Sequence, residues 1–542
     1  MKTLPLSMQS LKKIIDKGAV YVDKTYLFTD LIENEQIFLS RPRRFGKSLL
    51  LNSLEQMFLG NADLFSGLKI ADSGYEFQKY PVIRLSMTMV SKTPEILTDR
   101  LLKNLQNIAE SYNIGLRDDD PGGALQLLIK DLSEKYGERV VVLIDEYDHP
   151  VSSHMDNIVL AKANTEVLSS FYVGFKEMDD FLRFVLVTGV TRYAMMGLSS
   201  GLNQLVDISF DPEFAAICGF TPDELDQYFG ERYSSTLKDL KSTGDLPPES
   251  SEADLRQKIL DWYDGYTWDG KTRILNPISI LNFFKKRILN PYWSATSPSI
   301  SFLTKEIETN PLSFTNTYLH GYSYLDISLA TVGNVNPVPL LFHSGYLTID
   351  KISRIDGDLQ YSFTVPNFEV EKPFYKILNE YLFIKNIVTE AAELNEALVK
   401  RNGTLLTKII RRLFLRIPAE HYKKNEKLGE SFFHMILMSY CSGLLPEVRS
   451  EPAGPVGDAD LILISTGGLR AVLELKFAPD ADPDKLEEAL DNLANLGLKA
   501  IDEKEYGESD RLKGYDFAVI GVGVIGRGKA KAVFGVPRND PC

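Results

Sequence analysis

Only three cysteines, Cys218, Cys441 and Cys542, are spread over the 542 residues. Their distance from one another argues against a disulfide framework or a cysteine-built zinc site, and fits a reducing compartment. Long apolar runs are missing as well. No segment approaches ~18 uninterrupted apolar residues, and the opening MKTLPLSMQSLKKIIDKGAVY lacks an apolar stretch long enough for a signal peptide. A cytoplasmic protein with no membrane partner is the expectation. Positive charge is not in excess, since the formal net charge is −14. That excludes a nonspecific nucleic-acid coat, although an acidic enzyme can confine positive charge to one groove. Internal repeats and low-complexity tracts are absent too. What remains is an ordinary globular composition, 44% hydrophobic and 25% charged, in a length that suggests about three or four domains.

The first ~215 residues alternate apolar strand-like runs with longer helical patterns, as in a parallel α/β sheet. Candidate strands are IFLS (37–40), PVIRLSM (81–87), VVVLID (140–145) and FVLVTG (184–189). A helical region follows over 216–345, with GFTPDELDQYF starting on a Thr-Pro cap. Its polar stretch KSTGDLPPESSEAD (241–254) reads as an exposed loop. A connecting region spans 346–425, strand-like and then helical. The stretch 426–542 returns to a helix followed by strands.

The richest stretch is IFLSRPRRFGKSLLLNS (37–53), an apolar strand, a loop ending in Gly46-Lys47-Ser48, and a helix start. Backbone N–H groups and the dipole at a helix N-terminus attract phosphate oxygens. Lys47 suits the β- and γ-phosphates of ATP, and the Ser48 hydroxyl suits Mg²⁺. A hundred residues later VVVLIDEYDHPV ends a buried strand on Asp145 and Glu146. Asp145 could hold the metal and Glu146 could polarise the attacking water. The next strand ends in Thr188-Gly189-Val190-Thr191-Arg192, where Thr188 or Arg192 could meet the γ-phosphate. His149 reads as a structural contact, with no His or Cys partner nearby. Arg41 stands where the usual loop opens with Gly. With Arg43 and Arg44 it could add phosphate contacts, serve the structure, or reach an acidic neighbour.

With YVDKTYLFTDLI (21–32) ahead of it, this loop resembles the AAA-ATPase-like family of bacterial and mobile-element proteins, in which Arg-Pro-Arg-Arg-Phe-Gly-Lys-Ser is the usual form. The likeness continues through LIDEYDHPV, VLVTGVTRY, WYDGYTW (262–268), NPISILNFF (276–284) and NPYWSATS (290–297). It implies an ATPase core with a helical lid, in which Lys47 and Ser48 contact phosphate and Mg²⁺ and Asp145 and Glu146 form the acidic pair. Asp23 and Lys24 match the family motif without an evident role.

A second constellation lies in VGDADLILISTGGLRAVLELKF (456–477). Asp460 opens one strand, Gly467-Gly468 turns a hairpin, and Glu474 and Lys476 share a face of the next strand. Two carboxylates and a lysine suit Mg²⁺-dependent cleavage of a phosphodiester in DNA or RNA. The surrounding order resembles the PD-(D/E)xK nuclease superfamily, with Asp460, Glu474 and Lys476 as the metal and catalytic core and Glu430 or Glu451 as a further carboxylate. Two positions depart from that pattern: Asp458 replaces an Arg, and Ala500 replaces a Gln. The function expected is an ATP-driven module controlling a restriction-endonuclease-like α/β domain. The alternative is a nucleotide switch whose C-terminal fold only binds nucleic acid or a partner protein. Assembly into an oligomer is compatible with either. Gly521-Val-Gly523-Val-Ile-Gly526 fits a dinucleotide fingerprint, but too little chain follows, so it reads as a last strand entering a hairpin.

Overall fold

Near-continuous apolar runs form strands only where both faces are covered, and in the computed structural model four such runs build one sheet. Described are residues 1–88, 93–116, 118–154, 157–191, 204–294, 321–328, 337–355, 357–374, 387–417, 429–450, 461–503, 517–526 and 528–536. Two compact units divide the chain: Met1–Phe302 with Leu319–Val370, and Leu303–Tyr318 with Glu371–Cys542.

In the first unit β1 (Gln36–Ser40), β2 (Val82–Ser86), β3 (Val140–Asp145), β4 (Leu182–Gly189) and a short β5 (Val206–Asp207) run in the order β2-β3-β4-β1-β5. Every pairing is parallel, so the expected parallel sheet is present with its four candidate strands. All six residues of β3 are buried. Helices Pro94–Ser111, Pro121–Tyr136 and Ile158–Val173 pack Leu97, Leu101, Leu128 and Leu168 over one face. Because β4 lies between β1 and β3, the loop after Ser40, Thr188 and Asp145 all sit at the same edge of the sheet, where parallel sheets place ligands.

Beyond the sheet come the helices Pro222–Phe229, Tyr233–Thr243, Glu252–Tyr263 and Pro277–Lys286. The first opens on the expected cap: Thr221 and Glu224 form a capping box with Pro222 at its start. An aromatic core of Phe229, Tyr233, Tyr263, Phe283 and Phe284 joins these helices. A small antiparallel sheet, β6 (Tyr322–Ser323), β7 (Thr348–Ile355) and β8 (Asp358–Thr364), completes the unit.

The second unit runs helix Glu430–Leu444, β9 (Glu447–Ser450), β10 (Leu461–Ile464), β11 (Arg470–Ala478), helix Leu486–Glu503, β12 (Phe517–Ile525) and β13 (Lys529–Gly535). Sheet order is β13-β12-β11-β10-β9; only β11 and β12 pair in parallel. The turn at Gly467-Gly468 and the final hairpin fall where the pattern puts them. The glycines of β12 have a packing role. A Cβ on Gly521 would meet the Ala494 carbonyl oxygen at 1.9 Å, and one on Gly523 the Leu490 oxygen at 2.5 Å. Bare backbone there lets the helix Leu486–Glu503 lie close against the sheet.

Candidate functional site

The turn from β1 into the helix Lys47–Phe58 depends on two left-handed residues, Arg44 at φ 70° and Gly46 at φ 101°. Gly46 takes that conformation freely, whereas Arg44 is held in it. No side chain caps the helix N-terminus, which leaves its N–H groups for an anion. Lys47 is buried. Its Nζ donates to the carbonyls of Arg41 at 2.7 Å and Pro42 at 3.1 Å. Burial pulls its ammonium below the usual lysine range, against the attraction of Asp145, Glu146 and Asp148.

The Ser48 hydroxyl donates to Asp145 Oδ2 at 2.6 Å, and Thr188 Oγ1 donates to Asp145 Oδ1 at 3.0 Å. Three sequence-chosen residues from three chain segments therefore meet at one carboxylate. Glu146 follows at φ 54°, a costly backbone for a non-glycine residue, and it lines the same cavity as Lys47 and Ser48. Asp148, which sequence reasoning passed over, is buried and accepts from Val190 N, Thr191 N and Thr191 Oγ1 at 3.2, 2.8 and 2.6 Å. It fixes the segment after β4. Arg192 lies outside the described residues. For His149, burial lowers its pKa, and Nδ1 is buried without a partner.

Arg41 is not among the residues that line the cavity over this loop. Its guanidinium, 1% exposed, donates to the carbonyls of Ser40 and Ser209 at 2.8 Å and of Phe214 at 3.2 Å, and lies 4.2 Å from the centre of the Trp268 ring. Burial brings its pKa down to about 10, so it stays charged at neutral pH. Of the three readings open in the sequence, the structural one applies. Arg43 is half-buried and Arg44 exposed, and both line the cavity. Phe45 packs edge-on to Tyr266 and Trp268, with centroids 4.9 and 5.4 Å away. The Trp293 indole donates to the Arg43 carbonyl at 3.1 Å. Thus WYDGYTW and NPYW, distant in sequence, brace the loop from outside.

A cavity of about 590 Å³ opens over the loop, within the range of small-ligand pockets. Its lining combines Arg43, Arg44, Gly46, Lys47, Ser48 and Glu146 with apolar side chains that include Leu6, Met8, Val20, Ile217, Phe220 and Ile278. Asp23 accepts from Thr25 N, Thr25 Oγ1 and Lys69 N at 2.9, 2.7 and 2.7 Å. Lys24 pairs with Glu224 at 2.6 Å. The motif of unassigned role therefore ties the N-terminal segment to its neighbours and to the Pro222–Phe229 helix.

In the second unit Lys476 Nζ lies 3.1 Å from Glu430 Oε1 and 3.2 Å from Glu474 Oε1, and Phe477 N donates to Glu430 Oε2 at 3.2 Å. Glu474 is 1% exposed. Burial works against the Lys476 charge, but Glu430 and Glu474 outweigh it and hold its pKa above the usual lysine value. Leu475 points into the core, as period two requires. Asp460, Glu451 and Asp458 lie outside the described residues. Among the described residues, no group of three or more His, Cys, Asp or Glu side chains forms a metal cluster, and no helix is long and apolar enough to cross a membrane.

Comparison with known proteins locates these features. A family model described as "Predicted AAA-ATPase" matches residues 5–199. The chain is 30% identical over 533 residues to the "Uncharacterized protein in vnfD 5'region" of Azotobacter chroococcum mcd 1, covering 96% of each. No solved structure matches.

Proposed function

Since the chain belongs to the predicted AAA-ATPase family, we propose that its first unit binds and hydrolyses ATP with Mg²⁺, and that this controls a nuclease-like second unit acting on DNA or RNA. The observation that carries the first half is the Ser48–Asp145 contact of 2.6 Å beside a lysine resting on its own loop carbonyls. A buried ammonium bonded to neutral carbonyls gains from exchanging them for phosphate, because the phosphate oxygens add the attraction of a full opposite charge where little water screens it. Ser48 and Asp145 offer a hydroxyl and a carboxylate, hard oxygen donors that fit Mg²⁺; bound there, the ion would neutralise charge on the β- and γ-phosphates. Glu146 takes the proton of the attacking water as the γ-phosphate bond to the leaving oxygen breaks. Thr188 holds Asp145 in place, and Arg43 and Arg44 supply further positive charge to the triphosphate. The apolar side chains in the cavity lining suit a planar base.

Support for the second half is the convergence of Glu430, Glu474 and Lys476 along β11. Leu461 opens β10 and pairs with Leu473. Asp460 enters the proposal from the sequence alone, as the residue directly before that strand. Glu474, Asp460 and Glu430 are the oxygen donors proposed for a divalent metal, and Lys476 the group that steadies charge on the scissile phosphate. The alternative, a fold that binds without cutting, draws on Asp458 and Ala500, which stand where the superfamily that the sequence resembles carries Arg and Gln.

The test combines phosphate release from MgATP with cleavage of mixed DNA and RNA in Mg²⁺ or Mn²⁺, with and without ATP. Glu146→Gln should lower hydrolysis about a hundredfold or more while nucleotide still binds. Cleavage by wild type that vanishes in Glu474→Ala supports the nuclease reading. No cleavage, with nucleic acid retained in a binding assay, leaves the binding-only alternative.

A further inference from the structure

The braces on the phosphate loop do not end at Trp293. This fully buried indole holds the Arg43 carbonyl, while its backbone N–H donates to Glu369 Oε1 at 2.7 Å. Glu369 is also fully buried, and it accepts from Ser279 Oγ with both carboxylate oxygens, at 2.8 and 2.7 Å. No cation pairs with it among the described residues. Burial raises its pKa to about 7, although Trp293 N and the Ser279 hydroxyl stabilise the charged form. An unpaired buried acid is an expensive way to pin one tryptophan. Its place in the chain gives it a further use. Val370, the next residue, is the last of the first unit, and the chain continues into the second at Glu371. At the other end, Lys47 occupies the carbonyls of Arg41 and Pro42, and Trp293 occupies the one that follows.

We propose that Trp293 and Glu369 are positioning residues that carry the state of the phosphate loop to the point where the chain leaves the first unit for the last time. When Lys47 exchanges the carbonyls of Arg41 and Pro42 for phosphate, the loop relaxes at Arg43. Trp293 follows its acceptor, and Glu369 transmits the shift to Val370. From Trp293 onward the route runs through hydrogen bonds between discrete, fully buried groups, which move as units rather than deform. This rests on the reading of the cavity as a nucleotide site.

The full chain labelled with 5-fluorotryptophan gives a fluorine signal for each of its three tryptophans, and Trp293→Phe assigns the third. Nucleotide binding is measured separately by calorimetry with a non-hydrolysable MgATP analogue. The Trp293 signal should move along the calorimetric binding curve, and hydrogen exchange in a peptide over 366–374 should change with it. Trp293→Phe should bind the analogue within tenfold of wild type yet lose the exchange response. Glu369→Ala should lose it as well, and Glu369→Gln, which keeps an acceptor oxygen for Trp293 N, should restore it. Tight binding with a static Trp293 signal overturns the relay, as does a wild-type exchange response in either Trp293→Phe or Glu369→Ala. Calorimetry with no binding at all would instead overturn the nucleotide reading beneath it.

Discussion

At the scale of single residues the loop is organised by where its cations are spent. Lys47 rests on carbonyls that phosphate can replace, while Arg41 is committed to the carbonyls of Ser209 and Phe214 and to the Trp268 face. Restoring the usual glycine with Arg41→Gly therefore repairs nothing. It strips several charged hydrogen bonds and a cation–π contact, and should cost about 3 kcal/mol, seen as a lower Cm in urea. Glu146 bears positive-φ strain, so Glu146→Gly should stabilise by about 1 kcal/mol while losing hydrolysis. Glu369 gives a pH signature. Its folded pKa, about 7, lies above the reference of 4.5, so the folded state binds the extra proton and this group's penalty shrinks as pH falls from 7 towards 4.5. Glu369→Gln should therefore stabilise the protein at pH 8, by an amount on the order of 3 kcal/mol at most, and the gain should fade by pH 5. Comparing thermal melts of the two proteins at pH 8 and pH 5 checks the sign. Lys47, Ser48, Asp145 and Thr188 were legible in sequence because motif spacing encodes them. Arg41, Trp293 and Glu369 were not, because burial and long-range partners decide their roles.

Among elements, strands were the most legible, since runs such as VVVLID can only be covered on both faces. Strand order was not, because nothing in β1, β3 or β4 says that β4 lies between the other two. That order is what lets Thr188 reach Asp145. The β12 glycines show the reverse case, where a familiar string has an unfamiliar cause. Gly521→Ala would drive a methyl into the Ala494 carbonyl, and should destabilise the second unit by about 1–3 kcal/mol. Differential unfolding should show the first unit and its nucleotide affinity unchanged. If ATP affinity fell in parallel, the glycine would be serving something other than helix–sheet packing.

For the molecule as a whole, the chain passes between two units three times, leaving the first for the last time just past Glu369, after Val370. The family resemblance rested on strings scattered from residue 21 to residue 297, and no spacing rule explains why they should occur together. Their convergence does: VDKT, WYDGYTW, NPIS and NPYW each contribute to holding the loop between β1 and the helix Lys47–Phe58, or the elements beside it. The central claim is that this loop is a nucleotide site, and calorimetry of MgATP against wild type and Lys47→Ala tests it most directly. Wild type should bind one nucleotide per chain, with Lys47→Ala at least tenfold weaker. Equal affinities in the two proteins, or no heat in either, would contradict the account.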